Sequence, residues 1–220
     1  MWVRSCPMRV NLILSAFAIF SFPLSAVLVS VDPDSFSAGT DISTAFSYVT
    51  LSSGGGASGL DGKVYAAGSS QASTGDNVFA NSRISPTLWL NKDVDGYFLR
   101  IDFVTPTHYV SIDLISDNGF DYPSVWFYTT AGNLIKRNYL SPLGVSQVYH
   151  AVIERETADI AYIRAGGLDM TGSTVLLDNL KFEVPEPATC LILLSSLLIL
   201  KNRKKQALSS VKIGISRRIC

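Results

Sequence analysis

Between Tyr97 and Ile115 apolar and polar residues alternate with the period of a β-strand that buries one face. Tyr97, Leu99, Ile101 and Phe103 interleave with Arg100 and Asp102, and Val110, Ile112 and Leu114 interleave with Ser111 and Asp113. Thr105-Pro106-Thr107 separates the two runs. Further short β-branched and aromatic runs cover 44–51, 124–130, 148–153, 160–164 and 175–182, and an Ala131-Gly132-Asn133 turn leads into Leu134-Ile135. Residues 32–183 hold no long amphipathic helix. Strands at this spacing predict an all-β fold, an antiparallel β-sandwich of jelly-roll-like type. The Gly/Ser-rich stretch 52–76 reads as a long loop or irregular hairpin. Its Gly54, Gly56 and Gly59 match a dinucleotide-binding spacing, but no helix follows to receive a pyrophosphate, so they read as loop glycines.

Charge narrows the partners. All 18 Asp and Glu lie between Asp32 and Glu186, a stretch with only nine Lys and Arg. An acidic middle argues against nucleic acid, which needs a basic face. It suits an exported domain or one that recruits cations. Cys6, Cys190 and Cys220 all lie near the ends, so a disulfide or thiolate metal site within the middle is excluded.

Both ends read as addresses. Arg4 and Arg9 precede an apolar run through Phe20, Pro23 breaks it, and Ser25-Ala26 offers small residues for cleavage. Residues 1–26 therefore read as a signal peptide, with a helical apolar segment, handled by export machinery and signal peptidase. Met8-Arg9 would make a more compact start. At the other end Val184-Pro185-Glu186-Pro187-Ala188-Thr189 is too proline-rich for helix or central strand and reads as an extended, accessible linker. An apolar run to Leu200 follows, then the basic stop Lys201, Arg203, Lys204 and Lys205. Basic residues after an apolar run stay on the cytoplasmic side, which leaves the middle outside.

This order of motif, apolar helix and basic cluster resembles the PEP-CTERM sorting signal. The resemblance covers 184–205. It implies recognition at Pro185-Glu186-Pro187 by an exosortase, in a Gram-negative bacterium that makes exopolysaccharide. It also implies transient residence in the inner membrane through a short C-terminal transmembrane helix, then a place at the cell surface or in the biofilm matrix. The chain departs from the pattern twice. The run 188–200 is short, about 20 Å as a helix against a core of roughly 30 Å, and a tail of residues 206–220 follows the basic cluster. Four segments result: signal peptide 1–26, β domain 27–183, sorting signal 184–205 and tail 206–220. Within the domain, the run from Phe98 to Leu134 and the ending Val175–Phe182 resemble galactose-binding-like or jelly-roll domains, a likeness that speaks to fold more than ligand.

Three acidic places are candidate calcium sites. Asp93 and Asp95 sit before Gly96 in a stretch resembling the start of a calcium loop, with strand where an EF-hand needs helix. Asp117, Asn118 and Asp121 form a second acidic loop able to hold calcium or sugar hydroxyls, and Asn118-Gly119 is equally a plain turn. Asp178, in an apolar strand, needs a cation, an arginine or backbone donors. Tyr122, Trp126 and Tyr128 are candidates for stacking on sugar rings, since Trp126 and Tyr128 share the strand face opposite Val125 and Phe127. Core packing is the competing reading for them and for Trp89. His108 and His150 are the only histidines, and no nucleophile or metalloprotease motif is present. The expectation is a non-enzymatic surface or matrix protein that interacts with exopolysaccharide or surface glycan. A matrix protein without specific ligand and a glycan-active hydrolase are the alternatives.

Overall fold

The computed structural model describes residues 26–55, 61–83, 89–91, 97–168 and 173–185. The expected signal helix, the C-terminal helix and basic stop, Glu186 to Thr189, and the loop with Asp93 and Asp95 lie outside the described residues.

Twelve strands are described, in two sheets packed face to face. They are β1 (Ala26–Val31), β2 (Val49–Gly54), β3 (Tyr65–Gly68), β4 (Asn77–Ala80), β5 (Leu90–Asn91), β6 (Phe98–Thr107), β7 (Tyr109–Ser116), β8 (Pro123–Tyr128), β9 (Leu134–Tyr139), β10 (Val148–Glu154), β11 (Ile160–Leu168) and β12 (Val175–Pro185). The first sheet runs β10-β7-β12-β4-β3, with β1 also on β12. The second runs β2-β6-β11-β8-β9, with β5 on β11. All pairings are antiparallel except the two-residue β5–β11 contact. From β6 onward the chain changes sheet at every connection but β8 to β9.

The alternation in the sequence makes the core. Leu99, Ile101 and Phe103 of β6 face Val110, Ile112 and Leu114 of β7 and their neighbours, in one buried cluster that spans both sheets. Phe103 and Phe182 meet across the sandwich at 5.0 Å between ring centroids. Each such side chain contributes about 1.5–3 kcal/mol on burial. Trp89 is fully buried and joins the sheets. Its indole N–H donates to the Phe79 carbonyl at 2.8 Å, its amide donates to Val175 of β12, and its carbonyl accepts from Gly167 of β11.

The stretch 52–76 is more ordered than a plain loop. β3 lies inside it, and the segment from Ser69 to Asn77 folds over the outside of the first sheet. There Ala72 and Val148 pack on Val78, Ile115 and Leu176, a small second core. Two carboxylates hold the segment. Asp178, with no exposed surface, accepts from the amides and hydroxyls of both Ser73 and Thr74 at 2.9–3.1 Å. Asp34 accepts from the amides of Asp76 and Asn77, each at 2.7 Å. Between them Gly75 turns the chain with φ +48°, and a Cβ there would lie 2.0 Å from Asp34.

Strand limits differ from the sequence reading at several places. β11 runs on to Leu168 and β12 to Pro185, so Val184 and Pro185, read as linker, pair with β1 instead. Residues 44–51 read as strand, yet β2 begins only at Val49. The preceding residues make a turn in which Ser43 accepts from the Val64 amide and Asp41 from the Ser43 amide. Side-chain oxygens that capture nearby amides compete with ladder formation.

Ala26 pairs with Pro185 at the far end of the β1–β12 ladder. The first and last described residues thus leave the sandwich side by side.

Replacing Gly75 with alanine should destabilise the domain by about 1–3 kcal/mol, through strain at positive φ and displacement of Asp34. Chemical denaturation reads this directly, and an unchanged midpoint would contradict the assignment of Asp34 to the loop.

Candidate functional site

Asp178 has the partners that its burial demands, and they are protein groups. Besides Ser73 and Thr74, the Asn179 amide donates to its other oxygen at 2.7 Å. Burial pushes its carboxyl above the usual range against the pull of these donors. Asp113 stands directly opposite in the ladder. A pair of like charges there is unfavourable, so Asp113 needs its own neutralising shell. Ser73 donates to it at 2.7 Å, Asn179 donates through its side chain at 3.0 Å, and His150 Nδ1 lies 2.6 Å away. Asn179 reaches this place from a bulge in β12, at φ 49°. Ser73 Oγ lies within reach of both carboxylates but has one proton to give, so it bridges them rather than serving each in full. Of the three kinds of partner that Asp178 could have had, it has hydroxyl and backbone donors.

Serine, aspartate and histidine meet here, but in an order unsuited to nucleophilic catalysis. Ser73 and His150 both address Asp113, and the hydroxyl gives its proton to the carboxylate. Activating a serine requires the imidazole on the hydroxyl.

The 116–121 loop is organised around Asp121, which is 1% exposed. Its Oδ2 accepts from Ser116 Oγ at 2.8 Å and from the Asp117 amide at 3.1 Å, and its Oδ1 accepts from Ser173 at 3.3 Å. Asn118 accepts from the Phe120 amide, as an ordinary turn residue does. Asp117 lies against Asp121. Burial, then the hydrogen bond and charge of Asp121, push the Asp117 carboxyl up to about 6. Among the described residues no group of three or more His, Cys, Asp or Glu could hold a metal ion. A cation at Asp117 and Asp121 would have to complete its shell with other oxygens.

The aromatic candidates sit in a different environment from the one expected. Val125 and Phe127 enter the core, and Trp126 and Tyr128 lie on the outer face of the second sheet. Trp126, however, is only 4% exposed. The Arg137 guanidinium lies 4.3 Å from its ring and that of Arg164 lies 4.9 Å away. Trp126 is therefore no bare platform. Arg164 also covers Phe98, at 3.7 Å. Next to this row, Tyr128 stacks on Tyr162 at 4.6 Å with planes 8° apart, and Arg100 lies 4.0 Å over Tyr162. Tyr122 precedes β8, half-buried, and its amide donates to Ser173.

Register builds this lattice. Arg164 pairs with both Trp126 and Arg100, Trp126 pairs with Arg137, and Tyr162 pairs with Tyr128 and Asp102. Asp102 takes a two-pronged ion pair from Arg100. Each guanidinium–ring contact contributes about 0.5–2 kcal/mol, more as it is desolvated. The sequence reading passed over Phe98, Arg100, Arg137, Tyr162 and Arg164. For Arg100 the signal was there, as the polar half of an alternation. The neighbourhood of Arg137 and Arg164 required knowledge of which strands pair.

The two sheets carry opposite charge. Strands of the second hold Arg100, Lys136, Arg137 and Arg164 against Asp102 alone. Strands of the first hold Asp113, Glu154, Asp178 and Glu183 against Lys181.

No family profile matches the chain, and no curated protein matches it. Among solved structures it is similar to the K2 cleaved adhesin domain of Lys-gingipain, at 16% identity and a TM-score of 0.45, over 71% of this chain and 99% of that one. The K1 cleaved adhesin domain of Lys-gingipain from Porphyromonas gingivalis W83 matches at 10% identity and a TM-score of 0.33, over 71% and 97%. Likeness at this level adds nothing to a fold read from the chain's own ladders.

Asp117 makes stability depend on pH. Its folded value, about 6, lies above its ordinary 3.8. The contribution is thus fully present below 3.8 and is lost as pH rises through about 6. Asp117→Asn should melt above the wild type beyond pH 6, and the gap should close towards pH 4. A gap independent of pH would show that Asp117 is not protonated in the fold.

Proposed function

We propose that this chain is an exported, exosortase-sorted protein of the cell surface or biofilm matrix of a Gram-negative bacterium. There its sandwich interacts with exopolysaccharide and performs no chemistry on it. The observation that carries the binding part is the outer face of the second sheet, where arginines and aromatic rings interleave in rows along neighbouring strands. A sheet face several strands wide suits an extended polymer better than a small molecule, which binds best in a concave pocket. The sorting part rests on the Val184–Thr189 motif and the apolar and basic segments after it. The ladder with β1 takes in the first two residues of that motif, with Val27 opposite Val184 and Ala26 opposite Pro185. Both exits from the sandwich then lie at one end, so a tail held in the membrane would leave the sheet faces free.

A hydrolase reading needs two carboxylates across a cleft, about 5–9.5 Å apart. The close acidic pairs here are engaged with each other or with the 69–77 segment, and those engagements favour the binding reading. Calcium remains a variable of the test, with Asp117 and Asp121 as the described residues best placed to feel it.

Two measurements check this reading. In a host with an exosortase, mass spectrometry of the surface fraction should show a C-terminus close to Pro185-Glu186-Pro187. Glu186→Ala should instead retain the tail, and an unprocessed wild-type chain would refute the sorting assignment. The full-length protein in mild detergent should co-sediment with the host's exopolysaccharide, assayed with calcium and with chelator. Tyr128→Ala should weaken this, because Tyr128 is a partly exposed member of the lattice. Absence of sedimentation in both conditions would refute the glycan role for that polymer.

A further inference from the structure

From the lattice on the second sheet we infer the chemical class of its ligand, an anionic polysaccharide whose sugars carry carboxylates. The inference rests on the glycan-binding reading above and deepens it.

A neutral sugar bound by aromatic residues needs an open ring face for its C–H groups. Trp126 has a guanidinium 4.3 Å away and another 4.9 Å away. Tyr162 has Tyr128 stacked on it and Arg100 over it. Single-stranded nucleic acid also needs free ring faces, because its bases stack on them. The occupied faces count against both. A guanidinium held against a ring keeps N–H groups that the ring does not use. Their fork matches the two oxygens of a carboxylate, and the contact with the ring orders it in advance.

The balance of donors and acceptors points the same way. Arg137 is exposed and has no carboxylate partner among the described residues. The Trp126 indole N–H is buried and has no hydrogen-bond partner among the described residues. A buried donor left unmatched costs about 1–3 kcal/mol, and such groups call for an acceptor brought by a ligand. Arg137 and Arg164 both lie against this ring, so the unmatched donor and the arginines share one spot. Asp102 is the sole carboxylate in the strands of this sheet, and Arg100 holds it. A surface rich in donors and poor in acceptors, on a domain otherwise acidic, would also draw an anionic chain to this face rather than to the other.

The test uses the full-length protein in mild detergent, with chelator present so that calcium cannot bridge acidic groups. Immobilised oligogalacturonate is the probe, and its carboxyl-reduced form is the control. The carboxylated oligomer should bind about tenfold or more tightly than its reduced form, as two-pronged charge-assisted contacts require, and salt should weaken it. Arg137→Gln, at an exposed position that leaves the core intact, should lose most of that difference with an unchanged circular dichroism spectrum. Binding should also shift the Trp126 fluorescence, read in a background with both Trp2→Phe and Trp89→Phe if that variant folds and by difference spectra otherwise. Equal binding of the two forms would overturn the carboxylate inference and leave the glycan reading standing. Tighter binding of oligothymidylate than of either sugar would overturn it in favour of a nucleic-acid surface. Failure to bind either form, while the host's own polymer still sediments, would show the class to be wrong. Failure with all polymers would end both readings.

Discussion

The buried carboxylate of Asp178 decides which face of the sandwich is open. A charge with no exposed surface is tolerable only when donors surround it. Ser73, Thr74 and Asn179 supply them. To do so the segment from Ser69 to Asn77 must cross the outside of the first sheet. Once there it covers Val78, Ile115 and Leu176, which would otherwise be an apolar patch in water. Asp34 completes the arrangement from the N-terminal side, linking residues far apart in sequence. One sheet is thus covered by its own chain, while the other presents side chains.

Charge follows that division. Acids concentrate on the covered sheet, where hydroxyls, amides and His150 meet them. Guanidinium groups concentrate on the other, where the acidic partner within the strands is Asp102 alone. An arginine on a strand face has long methylenes and a flat head, so it covers a ring as well as it pairs with an anion. Arg100, Arg137 and Arg164 do the first of these in the structure as it stands. That leaves the guanidinium edge of the exposed Arg137 for a partner, while Arg100 spends its own on Asp102. The recognition face is therefore also a packed one, and the exposed Arg137 guanidinium is held against Trp126 before a ligand arrives. Ordering binding groups before the ligand arrives lowers the cost of association.

Much of the fold was legible because a half-buried strand leaves a local mark. The alternations at Tyr97–Phe103 and Val110–Leu114 became β6 and β7, and the runs at 148–153, 160–164 and 175–182 became β10, β11 and β12. β3 was read only as part of a loop or irregular hairpin and β4 was not read, because Tyr65–Gly68 and Asn77–Ala80 are too short for periodicity to rise above their Gly/Ser-rich surroundings. Of the site, the sequence singled out Trp126 and Tyr128, and placed them on the face opposite Val125 and Phe127. It could not show that arginines lie over Trp126, since Arg137 and Arg164 come from two different strands.

By itself, then, the sequence determined what depends on neighbours along the chain. It set the strand alternation, the acidic balance of the middle, the absence of cysteine there, and the order of motif, apolar run and basic cluster at the end. Tertiary structure decided what depends on pairing across the chain. Register set Arg164 beside both Trp126 and Arg100, put Asp113 opposite Asp178, and brought Ala26 next to Pro185. The physical reason is that a strand's own residues fix which side chains share its face, whereas the partner strand and its register fix what those side chains meet.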